Sequence, residues 1–373
     1  MNNCSSRNEK RIVFLDGIRG WAAVAVLYSH LCACFLAPKY TFLQSKLFSF
    51  VTDGNFAVYI FFVLSGMALS VNFFRSNDQI IVRHLFARRY LRLFVPIAAS
   101  TLLGSFLLRT GLFYNVEAAN LMGGNPWLGS FFLKHPSMSE LFKFISWDVF
   151  FNGKDVAAYN AVLWTMRVEF LGSLFVFSLC LLILPLKKYY IFMIPVAIYV
   201  FANDFFPSFF LGMFLAKVLD KVIEFCDRPE SEKYCTITSF FFIFSSMFYA
   251  TFSRAFVFDN PIILRTNPRT AFFAFLFILS VIMNLRLRCL FSTKLSQYLG
   301  AISFPLYLTH LLIICSFSSY LYTKISHMNS LFVLCIIIPT SSVLAFWVAA
   351  RFYVIEKIAI KISRKFSNFI LVE

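Results

Sequence analysis

Apolar residues in this chain gather into long runs, and polar residues gather into the short stretches between them. About ten of the runs approach the length that carries a helix across a hydrocarbon core of about 30 Å. They lie near residues 12–36, 55–74, 90–108, 162–184, 189–202, 205–219, 236–253, 271–285, 297–320 and 331–350. The pattern predicts an all-α polytopic membrane protein. It divides into a short N-terminal segment 1–11, a transmembrane domain 12–350 and a basic tail 351–373. The longest interhelical stretch, 109–161, holds Pro126, Trp127, Pro136, Trp147 and many phenylalanines, as an interfacial or re-entrant segment does.

Composition agrees with this picture. Hydrophobic residues make up 60% of the chain and charged residues 14%, mean hydropathy is +0.75, and 51 of the 373 residues are Phe. The placement of Lys and Arg adds an orientation. With the N-terminus inside, inner segments hold 22 of the 34 basic residues and outer segments 10, Arg19 and Arg167 falling within helices. By the positive-inside rule both termini are expected in the cytosol. The net charge of +16 expresses this asymmetry; it fits a basic face beside anionic lipid and requires no nucleic-acid partner. The first apolar run is too long and too interrupted for a cleavable signal. Nine cysteines lie scattered in apolar stretches without metal-ligand spacing, so they are expected as packing residues and no metal is expected.

Against this background a few polar residues stand out. RIVFLDGIRGWAAVAVLYSH, residues 11–30, places Asp16, Arg19 and His30 in a segment that is otherwise membrane-like. Eleven residues separate Arg19 from His30, about 20° more than three helical turns, and Asp16 lies three residues before Arg19. All three fall on one stripe, with His30 about 16 Å further along the helix than Arg19. Charges at bilayer depth are costly and are functional candidates by default. In LWTMRVEF, Glu169 is expected in the outer half of the bilayer, able to share a cavity with His30 and to support it as a general base. Arg167 should face elsewhere on the same helix. RHLFARRYLRLFVP, residues 83–96, pairs Arg89 with Arg92 on one face, with Arg88 adjacent; guanidinium groups suit phosphate. Each signal has a plainer reading. Asp16 and Arg19 can neutralise one another, a buried histidine can be structural, and the arginines satisfy the positive-inside rule.

Together these stretches resemble the acyltransferase-3 family of membrane-integral acyltransferases. The similarity runs in order through LDGIRGWAAVAVLYSH, FFVLSGMALS, RRYLRLFVP, LWTMRVEFLGS, FFLGMFLA, ISFPLYLTHL and RFYVIEKIAIK, roughly residues 11 to 360. The resemblance implies a ten-helix enzyme that moves an acyl group, usually acetyl, from cytosolic acyl-CoA to a hydroxyl. It implies catalytic roles for His30, Arg19 and Glu169, and a CoA-binding role for Arg89, Arg92 and Arg88. Supporting roles fall to Asp16, Ser65, Gly66, Trp164 and His310. Acetyl-CoA would be the donor substrate and a surface carbohydrate such as lipopolysaccharide O-antigen the acceptor, in a bacterial inner membrane. A small glycosylated or lipid metabolite is the alternative acceptor. Two departures are visible: Arg167 stands where a small, polar or Pro residue is usual, and the chain stops at 373 without the hydrolase-like domain that many relatives carry. The competing class is a transporter using the same buried charges as a proton or substrate path. No inverted repeat or pair of broken helices supports that class.

Overall fold

The computed structural model describes residues 12–45, 49–186, 205–253 and 267–371. All regular elements among the described residues are helical. The long helices are α1 (Val13–Tyr28), α2 (Gly54–Ser76), α3 (Gln79–Arg109), α4 (Trp164–Leu186), α5 (Phe206–Cys226) and α6 (Pro229–Ser253). They are followed by α7 (Pro268–Met283), the short α8 (Leu285–Phe291), α9 (Lys294–Ile313) and α10 (Ser330–Ile370). Among the described residues, seven helical segments are long and apolar enough to span a membrane, and an eighth arises if α7 and α8, bent by 102°, form one broken span. This makes the chain an integral membrane protein. The expected span 205–219 is present as α5, but Lys217, Asp220 and Lys221 make its second half too polar for the count. The expected span 189–202 and the segment 1–11 lie outside the described residues.

Local sequence sets the turns. The Asp53 carboxylate accepts from the Phe56 amide at 2.9 Å and starts α2; Asp78 does the same for α3 through the Ile80 amide at 2.8 Å. Between α2 and α3, Asn77 adopts a left-handed backbone (φ 57°) and reverses the chain. At the α7–α8 bend, Asn284 caps the new helix through the Arg286 amide at 2.9 Å.

Packing follows the small residues. A Cβ on Gly20 would collide with the backbone of Leu299 and Gly300, and one on Gly300 with that of Asp16. Ten residues further along each helix, His30 meets His310. The chains of α1 and α9 therefore run parallel, in close contact. A Cβ on Gly66 would strike the Phe209 carbonyl, and one on Gly212 the Val63 carbonyl, so α2 and α5 also press backbone to backbone. Without a hydrophobic difference between lipid tails and side chains, such close approach is what holds membrane helices together. The helices α3 and α10 run antiparallel, with His84 beside Ser367. The start of α1, the start of α3 and the end of α10 consequently share one end of the bundle.

The opposite end is covered by residues 110–163, which fold as a cap of short helices. Asn125 donates to the carbonyls of Cys34 (2.9 Å) and Phe35 (3.2 Å), Asn160 to Leu308 (2.8 Å), and the Tyr114 amide to Cys315 (3.0 Å). The stretch expected as interfacial between 109 and 161 thus folds as short helices fastened to the ends of the first helix and α9.

Candidate active site

Two polar regions lie inside the bundle. The first is a cavity of about 480 Å³ whose walls come from α1, α2, α3, α4, α9 and α10. Five arginines line it (19, 88, 89, 92 and 364) against three carboxylates, those of Asp16, Glu169 and Glu356. Formal charge in the lining is thus +2. Arg19 lies 3.8 Å from Asp16, the self-neutralising pair the spacing allows. Arg89, 6% exposed, is ion-paired with Glu169 across α3 and α4, and Ser65 of α2 donates to the same carboxylate oxygen at 2.8 Å. Arg92 is within electrostatic reach of Arg89, Glu356, Arg19 and Arg88. Unlike Arg89, it keeps its guanidinium for whatever enters the cavity.

The second region is a histidine pair. After Tyr28 the first helix widens to π geometry over Ser29–Leu36, which carries His30, and α9 widens likewise just past His310 at Ile314–Ser318. Such insertions re-aim side chains and recur at functional sites. His30 Nδ1 lies 2.7 Å from His310 Nε2, and His310 Nδ1 lies 3.0 Å from the Leu306 carbonyl. A carbonyl oxygen only accepts, so His310 Nδ1 carries the hydrogen and its Nε2 is an acceptor. His30 Nδ1–H then fills that acceptor, leaving His30 Nε2 with a free lone pair. His310 is 1% exposed, whereas His30 is only partly buried. Trp127, carried by the cap, lies over the His30 ring with centroids 5.2 Å apart. One imidazole is locked and the other is presented.

Tyr307 connects the two regions. It lines the cavity, its hydroxyl bonds with Thr165 at 2.8 Å and donates to the Val162 carbonyl at 3.0 Å, and its ring centroid is 6.0 Å from that of His310.

Most residues singled out in the sequence meet at these two places. Arg19, Asp16, Arg88, Arg89, Arg92, Ser65 and Glu169 gather at the cavity, and His30 joins His310. One expected grouping changes. Glu169 does not accompany His30; it is held by Arg89 and Ser65 in the cavity wall, because α4 packs against α2 and α3 at that level. The partner of His30 is another histidine. Gly66 acts through helix packing, and Trp164 packs on Phe205 at 5.2 Å without lining the cavity. Arg167 points away, donating to the Phe151 carbonyl at 2.8 Å. Sequence reasoning missed Tyr307, although its position three residues before His310 put it on the same face. It also missed Trp127 as a neighbour of His30, and no local pattern carried that contact.

A helical membrane bundle with a buried ionic cavity and a nearby histidine pair could serve an enzyme or a carrier. The family decides between them: the model described as an acyltransferase domain (acyltransferase-3) matches residues 12–350, nearly the whole chain. The chain belongs to this family of membrane acyltransferases. No match to it is found among curated proteins or among solved structures.

Proposed function

We propose that the protein transfers an acetyl or similar acyl group from acyl-CoA to a hydroxyl of a surface carbohydrate such as O-antigen, in a bacterial inner membrane. The observation that carries the donor assignment is the cavity: five arginines against three carboxylates favour a multiply charged anion, and CoA brings a pyrophosphate and a phosphate monoester. In this reading the cavity end of the bundle, with the start of α1 and the end of α10, faces the cytosol, which the distribution of basic residues supports. The nucleotide rests among the arginines and the thioester arm extends past Arg19 and Tyr307 toward His30.

The chemistry then falls to the histidine pair. His30 Nε2 takes the proton of the acceptor hydroxyl as its oxygen bonds to the thioester carbonyl carbon. His310, holding His30 Nδ1–H through a fixed acceptor, stabilises the imidazolium that forms. Collapse of the tetrahedral intermediate breaks the carbon–sulfur bond, and the leaving thiolate takes the proton back. General-base assistance of this kind contributes about 10²–10⁴-fold. Trp127 offers an apolar ring beside His30 on which the face of a sugar can stack.

Purified protein mixed with radiolabelled acetyl-CoA and a surface-glycan extract should yield labelled, alkali-labile glycan ester. Uptake of label or acceptor into sealed vesicles without ester formation would instead identify a carrier.

A further inference from the structure

The family match ends at residue 350, yet α10 continues unbroken to Ile370. Its 41 residues extend about 61 Å, twice the hydrocarbon thickness. The second half, with Arg351, Glu356, Lys357, Lys361, Arg364 and Lys365, must stand clear of the lipid core. It is nevertheless docked. The Ser367 hydroxyl lies 2.7 Å from His84 Nδ1 and donates to the His84 carbonyl at 3.3 Å; Ser363 and Ser367 are 1% and 2% exposed. Tyr353, Glu356, Ile360, Ser363 and Arg364 line the cavity at spacings of 3, 7, 10 and 11 residues from the first, a single helical stripe.

At the outer end of that stripe, exposed Arg364 comes within electrostatic reach of Arg88 on α3. Neither forms an ion pair with a described residue, and Arg88 Nε is buried without a hydrogen-bond partner. Two guanidinium groups held together over a cavity repel one another unless an anion sits between them. We propose that Arg364 and Arg88 form a phosphate clamp at the cavity mouth, and that it takes the 3′-phosphate at the nucleotide end of CoA. The proposal rests on the acyl-CoA reading above. Position selects the group: the deeper Arg92 and Arg19 face the arm side, and the mouth receives the bulky terminus. Charge selects it too, since a terminal monoester approaches two negative charges and offers three acceptor oxygens to two planar forks. A lipid headgroup bearing a phosphate monoester presents the same chemistry, so the test compares ligands that differ in this phosphate alone.

Calorimetry on full-length protein in uncharged detergent, with CoA and with 3′-dephospho-CoA, separates these cases. Wild type should prefer CoA about tenfold. Arg364→Gln should lose that preference by weakening CoA about tenfold, with dephospho-CoA affinity unchanged. Lys365→Gln removes the same charge from an exposed neighbour outside the cavity and should change neither affinity. Wild type binding both ligands equally, or Arg364→Gln weakening both alike, overturns the clamp and leaves the donor reading standing. Wild type binding neither ligand overturns the donor reading, and the clamp with it.

Discussion

Around the cavity, arginines crowd carboxylates on four helices, α1, α3, α4 and α10; some 16 Å beyond Arg19 along the first helix, two histidines face each other with no ionised partner among the described residues. The cavity is a place of fixed charge. Its groups hold or attract other charges, and Arg89 with Glu169 spend theirs on each other. The pair is a place of fixed tautomers. Its orientation comes from one carbonyl, that of Leu306, and from two helices kept parallel by glycine contacts. In the proposed function the difference becomes a division of labour: binding falls to groups that never lose their charge, and proton transfer to groups that can gain one.

The largest effect should come from cutting one region away from the other. His30→Ala is expected to lower acyl transfer by at least about 100-fold, since it removes the base. CoA affinity, measured by calorimetry on the same preparation, should stay within about twofold, because the alteration lies outside the cavity. A parallel loss of CoA affinity would break the comparison.

Next comes the ion pair inside the cavity. Arg89→Ala leaves Glu169 buried without its counter-ion and should cost about 3–5 kcal/mol of stability. Adding Glu169→Gln should recover much of that loss, because the uncompensated charge is gone. Thermal unfolding of the wild type, both single variants and the double variant measures the coupling; simple additivity would demote the pair to bystanders.

Gly66→Ala follows, at about 1–3 kcal/mol, since a methyl there meets the Phe209 carbonyl and α2 must move from α5. It should also disturb transfer, because the neighbouring Ser65 holds Glu169. The smallest effect belongs to Arg75→Ala. Its bidentate contact with Asp220 (2.9 and 2.6 Å) lies at the exposed end of α2 and α5 and should contribute less than about 1 kcal/mol. These two variants sharpen the comparison by showing that a buried contact, polar or not, outweighs a well-formed exposed one.

Much of this arrangement was legible in the residues. The apolar runs mark the helices because lipid demands them, and Arg19, Arg88, Arg89, Arg92, Glu169 and His30 stand out because polar groups in such runs are expensive. Which of them meet was not legible. Local spacing places Asp16 beside Arg19, but nothing local brings Glu169 to Arg89, 80 residues away, or His310 to His30, 280 residues away. Those contacts depend on which helices pack and at what level. The sequence hint was indirect: the glycines at 20, 66, 212 and 300 set that packing, and two of them, Gly20 and Gly66, sit inside the same motifs as Arg19, His30 and Ser65. The sequence marks the tail as a basic end; its docking along α3 and its share of the cavity wall depend on α10 continuing past the lipid.

The central claim is that donor and proton transfer occupy opposite ends of one path across the membrane. Sealed proteoliposomes with a single orientation, fixed by a tag on the C-terminus, test it most directly. Labelled acetyl-CoA supplied to the face carrying the end of α10 should support transfer to an acceptor supplied on the face of the 110–163 cap, and acetyl-CoA on the cap face should support none. Transfer from acetyl-CoA on the cap face alone would contradict the account, because it would place the donor at the histidine end and leave the arginine cavity without its substrate.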